Sequence, residues 1–405
     1  MLDLSRILAG PTCTQLLGDL GADVLKVERP GFGDDTRSWG PPFIRDKAGR
    51  DSDLSAYFLC ANRNKRSIAI DIGSQAGADL IRKLARQADV IVENYKPGDL
   101  ARRGLDYEHL SALKPDLVWC SITGFGRTGP HADRPGYDFL AQAMGGMMSI
   151  TGAPDEEGGQ PMKVGVAVAD VVCGLYGILA ALRHRDRTGE GQMIDLSLFD
   201  TQVAWLVNAA TNVLASGVDA KRLGNRHPTI APYQTFAASD GYLCVAVGND
   251  KQFAAFCRVL SQPELSADPR FSTNPARVEN RLDLEKRLSA AIALRPVEEW
   301  TSELVEAGVP AGSVRSISEV LSDPQTRARG MVIEMQDDAA AGPLKLLGNP
   351  LKMSATPPGY MLPPPHIGSG RDAALSDWLG MGEDEIAILE RSGAFGASAA
   401  AGLGV

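Results

Sequence analysis

The stretch Gln75-Ala76-Gly77-Ala78-Asp79-Leu80-Ile81-Arg82-Lys83-Leu84-Ala85-Arg86-Gln87-Ala88-Asp89-Val90-Ile91-Val92-Glu93-Asn94-Tyr95-Lys96-Pro97-Gly98 holds one full period of the pattern that sets the fold. An amphipathic segment of helical length, 75–88, runs into a short β-branched run, 90–94, and then into a turn of Asn, Pro and Gly. The same unit recurs on both sides. Runs at 24–28, 67–72 and 117–123 read as strands, and segments at 12–20 and 107–113 read as helices. Strand and helix alternating in this way predict an α/β protein built on a doubly wound, Rossmann-like parallel sheet. Ligands of such sheets bind beyond the carboxyl ends of the strands. That is where Arg29-Pro30-Gly31-Phe32-Gly33, Asn94-Tyr95-Lys96-Pro97-Gly98 and Gly124-Phe125-Gly126-Arg127-Thr128-Gly129 fall. None of them is a complete dinucleotide fingerprint or Walker loop, so neither nucleotide class is expected.

Further along, a strand-like run at 193–196 leads into one long helix over 198–215. The expected organisation is a large first domain over 1–200, a connector helix over 201–223, a smaller α+β domain over 224–322, and a return to the large domain over 323–405. Within the smaller domain, 242–247 reads as a strand, with helices at 252–260 and 282–294. A Pro-rich run at 357–365 precedes a last helix near 373–379.

The chain of 405 residues has 44% hydrophobic and 22% charged residues and a formal charge of −9, which is globular composition. No Lys/Arg block interleaved with aromatics is present, which argues against nucleic acid as a partner. Cys13, Cys60, Cys120, Cys173, Cys244 and Cys257 are scattered without metal-ligand spacing, and five histidines show no i, i+4 pair. Reduced thiols, no bound metal and a cytoplasmic location are therefore expected, and Met1-Leu2-Asp3-Leu4 does not open an export signal.

One charge stands out. Asp170 is the single charged residue in the nineteen residues from Val164 to Leu182. A lone carboxylate in apolar surroundings costs several kcal/mol unless it is bonded or paired. A membrane span would have to carry that charge at its centre, at roughly 2.5–3.5 kcal/mol, so no membrane partner is expected. Two other readings stand side by side. Asp170 caps the apolar helix that follows, or it is a nucleophile; the two are compatible, because a helix N-terminus with apolar walls keeps a carboxylate ionised and weakly hydrated.

Taken together, Leu8-Ala9-Gly10-Pro11, Gly21-Ala22-Asp23-Val24-Leu25-Lys26-Val27-Glu28-Arg29-Pro30, Gly33-Asp34-Asp35-Thr36-Arg37, Asn62-Arg63-Asn64-Lys65-Arg66-Ser67, Glu93-Asn94-Tyr95-Lys96-Pro97-Gly98 and Ser121-Ile122-Thr123-Gly124-Phe125-Gly126 resemble the ordered motifs of family III CoA-transferases, the family of formyl-CoA and carnitine CoA-transferases. The resemblance implies that Asp170 is the covalent nucleophile. It attacks an acyl-CoA thioester to give a mixed anhydride and then an aspartyl-CoA thioester. It implies CoA and acyl-CoA as substrates with no permanently bound cofactor, and an interlocked homodimer. By position it puts Arg29 and Arg102 near the nucleotide end of CoA, and Ile70, Ile72, Asn94 and Tyr95 along its path.

Within the superfamily, α-methylacyl-CoA racemases carry Gly-His-Asp where this chain has Gly136-Tyr137-Asp138. A phenol with an ordinary pKa of about 10 is a poor base near neutrality, so Tyr137 favours acyl transfer over racemisation. Tyr137 itself reads either as an aromatic wall or as a catalytic contact. Among the transferases, Asp34-Asp35-Thr36-Arg37-Ser38-Trp39-Gly40-Pro41-Pro42, Ala231-Pro232-Tyr233-Gln234 and Gly248-Asn249-Asp250-Lys251-Gln252-Phe253 resemble the succinyl-CoA:glutarate type. A dicarboxylate leaves one carboxylate unreacted, and Arg6 and Arg66 are the candidate partners for it. Leu8 stands where formyl-CoA transferase has glutamine, so oxalate is the less favoured acceptor. The first strand looks short, and His366-Ile367-Gly368-Ser369-Gly370-Arg371 departs from the family's usual Leu-Gly-x-His-Thr.

Overall fold

The computed structural model describes residues 1–168 and 173–396. The chain forms two compact units, one of residues 1–147, 164–207 and 324–405, the other of residues 148–163 and 208–323.

The first unit holds a six-stranded parallel sheet of β1 (Leu2–Asp3), β2 (Val24–Glu28), β3 (Lys65–Ala69), β4 (Val90–Glu93), β5 (Val118–Thr123) and β6 (Gln192–Ser197). Across the sheet the order is β3-β2-β1-β4-β5-β6. The two-residue β1 sits at the centre, with Leu2 opposite Leu25 on one side and Ile91 on the other. Successive residues feed opposite cores, as a strand's period of two requires. Leu25, Ile91 and Trp119 enter one apolar cluster with α2 (Gln75–Gln87) and α3 (Tyr107–Leu113). Val24, Val90, Val92, Val118 and Cys120 enter the other, with α1 (Ala9–Asp19) and α5 (Cys173–Thr188). Helices on both faces explain why these strands read as unbroken apolar runs. Fully burying one such aliphatic side chain stabilises the fold by about 1.5–3 kcal/mol.

The C-terminal segment returns to this sheet. Helix 371–379 adds Ala374 and Leu375 to the α2 cluster. Asn64 pins the Pro-rich run, its side-chain oxygen accepting from the N–H groups of Met361 and Leu362. The second unit pairs a three-stranded antiparallel sheet, Tyr233–Ala237, Tyr242–Ala246 and Ala311–Ser313, with helices Asp250–Val259, Arg281–Ile292 and Val297–Glu306. Among the described residues no helix is long and apolar enough to cross a membrane. Cys13, Cys60, Cys120, Cys244 and Cys257 are free thiols.

Two expectations are corrected. The single helix over 198–215 is two helices, α6 (Leu198–Trp205) and α7 (Val207–Ser216), because Val207 takes a φ of +43°, where the helical ladder cannot continue. The strand expected over 67–72 runs instead over Lys65–Ala69, leaving Ile70 and Ile72 beyond its end, and the Lys65 ammonium is buried.

That burial belongs to a charge network beneath the sheet's carboxyl edge. Lys65 Nζ donates to Asp3 Oδ2 at 3.1 Å and to the carbonyl of Pro11 at 2.8 Å. Lys26 Nζ donates to Asp34 Oδ2 and to the carbonyl of Ser5, both at 2.9 Å. All four charged side chains are buried. Burial alone would raise the Asp3 carboxyl, but Lys65, Lys26 and the hydroxyls of Ser5 and Thr14 outweigh it and bring it down to about 2. A carboxylate lowered from its ordinary value of about 3.9 contributes stability above pH 4 that is lost as pH falls towards 2, here about 2–3 kcal/mol. Asp3→Asn is expected to destabilise by about 3–5 kcal/mol, because it leaves buried ammonium groups uncompensated, and to flatten the acid limb of a urea-denaturation pH series between pH 4 and 2. An acid limb identical to that of the unsubstituted protein would refute the assignment.

Candidate active site at the sheet's switch point

After β1 the chain passes to α1 on one face of the sheet, and after β4 it passes to α3 on the other. Between these adjacent strands a crevice opens at their carboxyl ends. Its two lips are the loops 4–8 and 94–98. Asn94 joins them, its Oδ1 accepting from the Arg6 N–H at 2.9 Å and its Nδ2 donating to the Arg6 carbonyl at 2.7 Å. Ile7 is held at a φ of +72°, a strained setting for a β-branched residue. The Asp34 carboxylate, fixed by Lys26 and Thr36, accepts the Ile7 N–H at 3.2 Å through each oxygen. The loop after β2 is equally fixed, with Arg37 donating in bidentate fashion to the buried Glu28 at 2.8 and 2.7 Å.

Two cavities share the Arg6 and Tyr95 walls. One, of about 330 Å³, is lined among others by Arg6, Leu8, Asn94, Tyr95, Tyr137 and Asp138. The second, of about 260 Å³, is lined among others by Arg6, Arg29, Ile70, Ile72, Tyr95 and Arg103. Arg6 lies over the Tyr95 ring, 5.3 Å from its centroid, and reaches Asp35 at 3.3 Å. Arg29 stacks on the exposed Phe32 ring at 4.5 Å. Burial pushes the Tyr95 phenol up, so it stays a neutral hydroxyl at physiological pH.

The far wall of the first cavity depends on two glycines. A Cβ on Gly136 would lie 2.3 Å from the Gly124 Cα, and one on Gly124 would lie 2.4 Å from the Gly136 Cα. The backbone after β5 and the backbone before α4 (Asp138–Met144) therefore touch, which hangs Tyr137 and Asp138 over the crevice. From α4, Asp138 Oδ1 accepts the Val168 N–H at 3.1 Å. Gln142, one turn on and fully buried, donates to Asp138 Oδ2 at 2.6 Å and accepts the Val164 N–H at 2.8 Å. This pair clamps the segment that runs into Asp170. Asp170 itself lies outside the described residues.

Of the residues singled out from the sequence, Arg6, Leu8, Arg29, Ile70, Ile72, Asn94, Tyr95, Tyr137 and Asp138 line one or both cavities. Two do not. Arg66 lies at the amino end of β3, the opposite edge of a parallel sheet from its ligand crevice, and pairs with Asp23 and Asp377, each at 2.7 Å. Arg102 turns to Asp99, while its neighbour Arg103 lines the second cavity. Arg103, Gln142 and Arg134 were not singled out as site residues. For Gln142 the Asp/Gln i, i+4 spacing was an available signal. Among the described residues no cluster of three or more His, Cys, Asp or Glu side chains could hold a metal ion.

Residues 1–371 match CoA-transferase family III. The chain belongs to that family. It is 45% identical to a succinate–glutarate CoA-transferase of Agrobacterium fabrum over 381 residues, covering 93% of this chain and 94% of that protein. It is 44% identical to the succinyl-CoA:glutarate CoA-transferase of Mus musculus, covering 97% and 88%. Among solved structures, a CAIB/BAIF family protein from Brucella suis aligns with a TM-score of 0.83 at 46% identity, covering 93% of this chain and 97% of that one. The sequence-based family and α/β fold are thereby borne out, and this family III CoA-transferase is an enzyme acting on CoA thioesters.

Gly136→Ala is expected to cut kcat at least tenfold, since the added methyl forces the two backbones apart and shifts Tyr137 and Asp138 off the crevice. Steady-state transfer assays alongside circular dichroism would check it; a folded variant with unaltered kcat would refute this role for the crossing.

Proposed function

We propose that this transferase moves CoA from succinyl-CoA to a dicarboxylic acid such as glutarate, with Asp170 as the covalent nucleophile. A carboxylate oxygen of Asp170 attacks the thioester carbonyl, and CoA leaves as the thiolate. The thiolate then attacks the aspartyl carbon of the resulting anhydride, which releases succinate and forms aspartyl-CoA. The acceptor carboxylate attacks that thioester and again expels the thiolate, which finally takes the acceptor's acyl group and frees Asp170. Bonds made and broken balance, no proton is consumed, and no redox or metal chemistry is called on.

The observation that carries this reading is the pair of neighbouring cavities at the switch point that share the Arg6 and Tyr95 walls, one lined by Asp138, which clamps the segment leading to Asp170, and the other lined by Arg29 and Arg103 among others. In the proposed binding mode Arg29 and Arg103 take the phosphates of CoA, with Ile70 and Ile72 as an apolar wall. Arg102 matches the family position but turns to Asp99, so Arg103 is assigned the contact. The pantetheine arm then passes the Asn94 and Tyr95 lip to reach Leu8, Tyr137 and Asp138. The dicarboxylate acceptor rests on the relatives' names, which pair succinate or succinyl-CoA with glutarate.

We further propose that the enzyme works in the cytoplasm as a homodimer. Tyr176 and Leu179 on α5, and Val203 and Trp205 on α6, leave apolar faces in water, with Tyr176 61% exposed. Sedimentation at twice the chain mass is the expected result.

Intact-mass measurement after incubation with succinyl-CoA and hydroxylamine tests the chemistry. The expected outcome is a hydroxamate mapped to Asp170, absent in Asp170→Ala, with transfer to glutarate reduced by at least about 10³-fold in the variant. Transfer without any adduct at Asp170 would refute the covalent route. α-Proton exchange into a 2-methylacyl-CoA without an acceptor acid would favour racemisation instead.

A further inference from the structure

Three cations line the cavity beside the clamped segment: Arg6, Lys96 and Arg134. They are not equally available. The Arg6 guanidinium is engaged by Asp35 and lies over Tyr95, and the Arg6 backbone is gripped by Asn94. Lys96 belongs to the loop after β4, on the same lip as Tyr95, and its ammonium is a strongly hydrated point charge on a flexible stem. Arg134 stands on the opposite wall. It lies on the loop that ends at the Gly124 and Gly136 crossing, two residues before the pinned Gly136 and three before Tyr137. Its backbone N–H donates to the His131 carbonyl at 2.9 Å, so the base of the side chain is fixed. Its guanidinium makes no hydrogen bond or ion pair to any described residue, and the residue is exposed and lines the cavity.

A fixed base with an uncommitted planar head, on the same loop as Tyr137 and Asp138, is what recognition of a second carboxylate requires. While one carboxylate of the acid reacts, the other must remain solvated or find a cation. A guanidinium meets it with two parallel N–H···O bonds at small entropic cost. We propose that Arg134 binds the unreacted carboxylate of the dicarboxylate substrate and so makes this enzyme select dicarboxylates over monocarboxylates. This rests on the dicarboxylate reading above and moves the role from Arg6 and Arg66, both of which are tied to Asp residues. One subsite then serves both halves of the reaction, since succinate leaving and the dicarboxylate entering each carry a distal carboxylate.

The test compares glutarate with butanoate as acceptors, with succinyl-CoA as donor, in the full-length enzyme and in Arg134→Gln, Arg134→Lys and Lys96→Gln. In a two-stage exchange kcat/KM for the acceptor reports only the second half-reaction, so any effect on the donor cancels. Arg134→Gln is expected to lower kcat/KM for glutarate on the order of 10²-fold, mainly through KM, and to change that for butanoate less than about threefold. Arg134→Lys should recover part of the loss, and CoA affinity by calorimetry should be unaltered. An unchanged glutarate-to-butanoate ratio in Arg134→Gln, a parallel loss of CoA affinity, or a dicarboxylate-specific loss in Lys96→Gln instead would each overturn the assignment. Failure of the unsubstituted enzyme to use glutarate or any other dicarboxylate would overturn the dicarboxylate reading together with it, which separates the two failures.

Discussion

The buried charges around Asp3 tie the architecture together. β1 is only two residues long yet occupies the centre of the sheet, with too few backbone hydrogen bonds to define its position unaided. Its end is fixed by side chains instead: Lys65 from β3 meets Asp3, and Lys26 from β2 meets both Asp34 and the Ser5 carbonyl. Three neighbouring strands and two loops are thereby locked in register at one point. An apolar replacement of such a network is often neutral for stability, because desolvation offsets most of the Coulomb gain. Here, though, Asp34 also holds the strained Ile7 N–H, and no apolar side chain could do that. The network therefore shapes the site as much as it stabilises the sheet.

From that point the crevice is assembled in layers of decreasing rigidity. The floor is charge-locked and buried. The lips are joined by one amide, Asn94, which continues the hydrogen bonding of the strands one step beyond their ends. The far wall is positioned by steric exclusion, two glycine backbones in contact, and α4 then holds the segment 164–168 by its Asp and Gln side chains. At the outermost layer, the Lys96 and Arg134 heads make no hydrogen bond or ion pair to any described residue. Rigid support beneath open cations suits an enzyme whose CoA thioester substrates are anions that must enter and leave.

Much of this was legible in the chain. The strands at 24–28, 90–94 and 117–123 could be read because burial on both faces demands continuous apolar, β-branched residues. Asn94 and Tyr95 could be read as facing the crevice because they stand in a turn after such a strand, whereas Tyr137 and Asp138 were legible only through the family resemblance; all four line the first cavity. What escaped reading was three-dimensional. β1 has no period to detect in two residues. The break at Val207 follows from a backbone angle that nothing in Trp205-Leu206-Val207 announces. Arg66 and Arg103 are chemically alike, and one lies at the amino edge and the other beside the cavity solely because of where each falls along its strand and loop.

By itself, then, the sequence determined the α/β class and the family, because patterns of burial and local turn chemistry act over a few residues and leave their mark, like the family's motifs, in order along the chain. The tertiary structure alone decided which arginines face the crevice, that β1 and β4 are neighbours across it, and that Gln142 serves Asp138. Those relations join residues far apart in the chain, and they are settled by packing, by backbone contact and by the pairing of buried charges, none of which has a period to read.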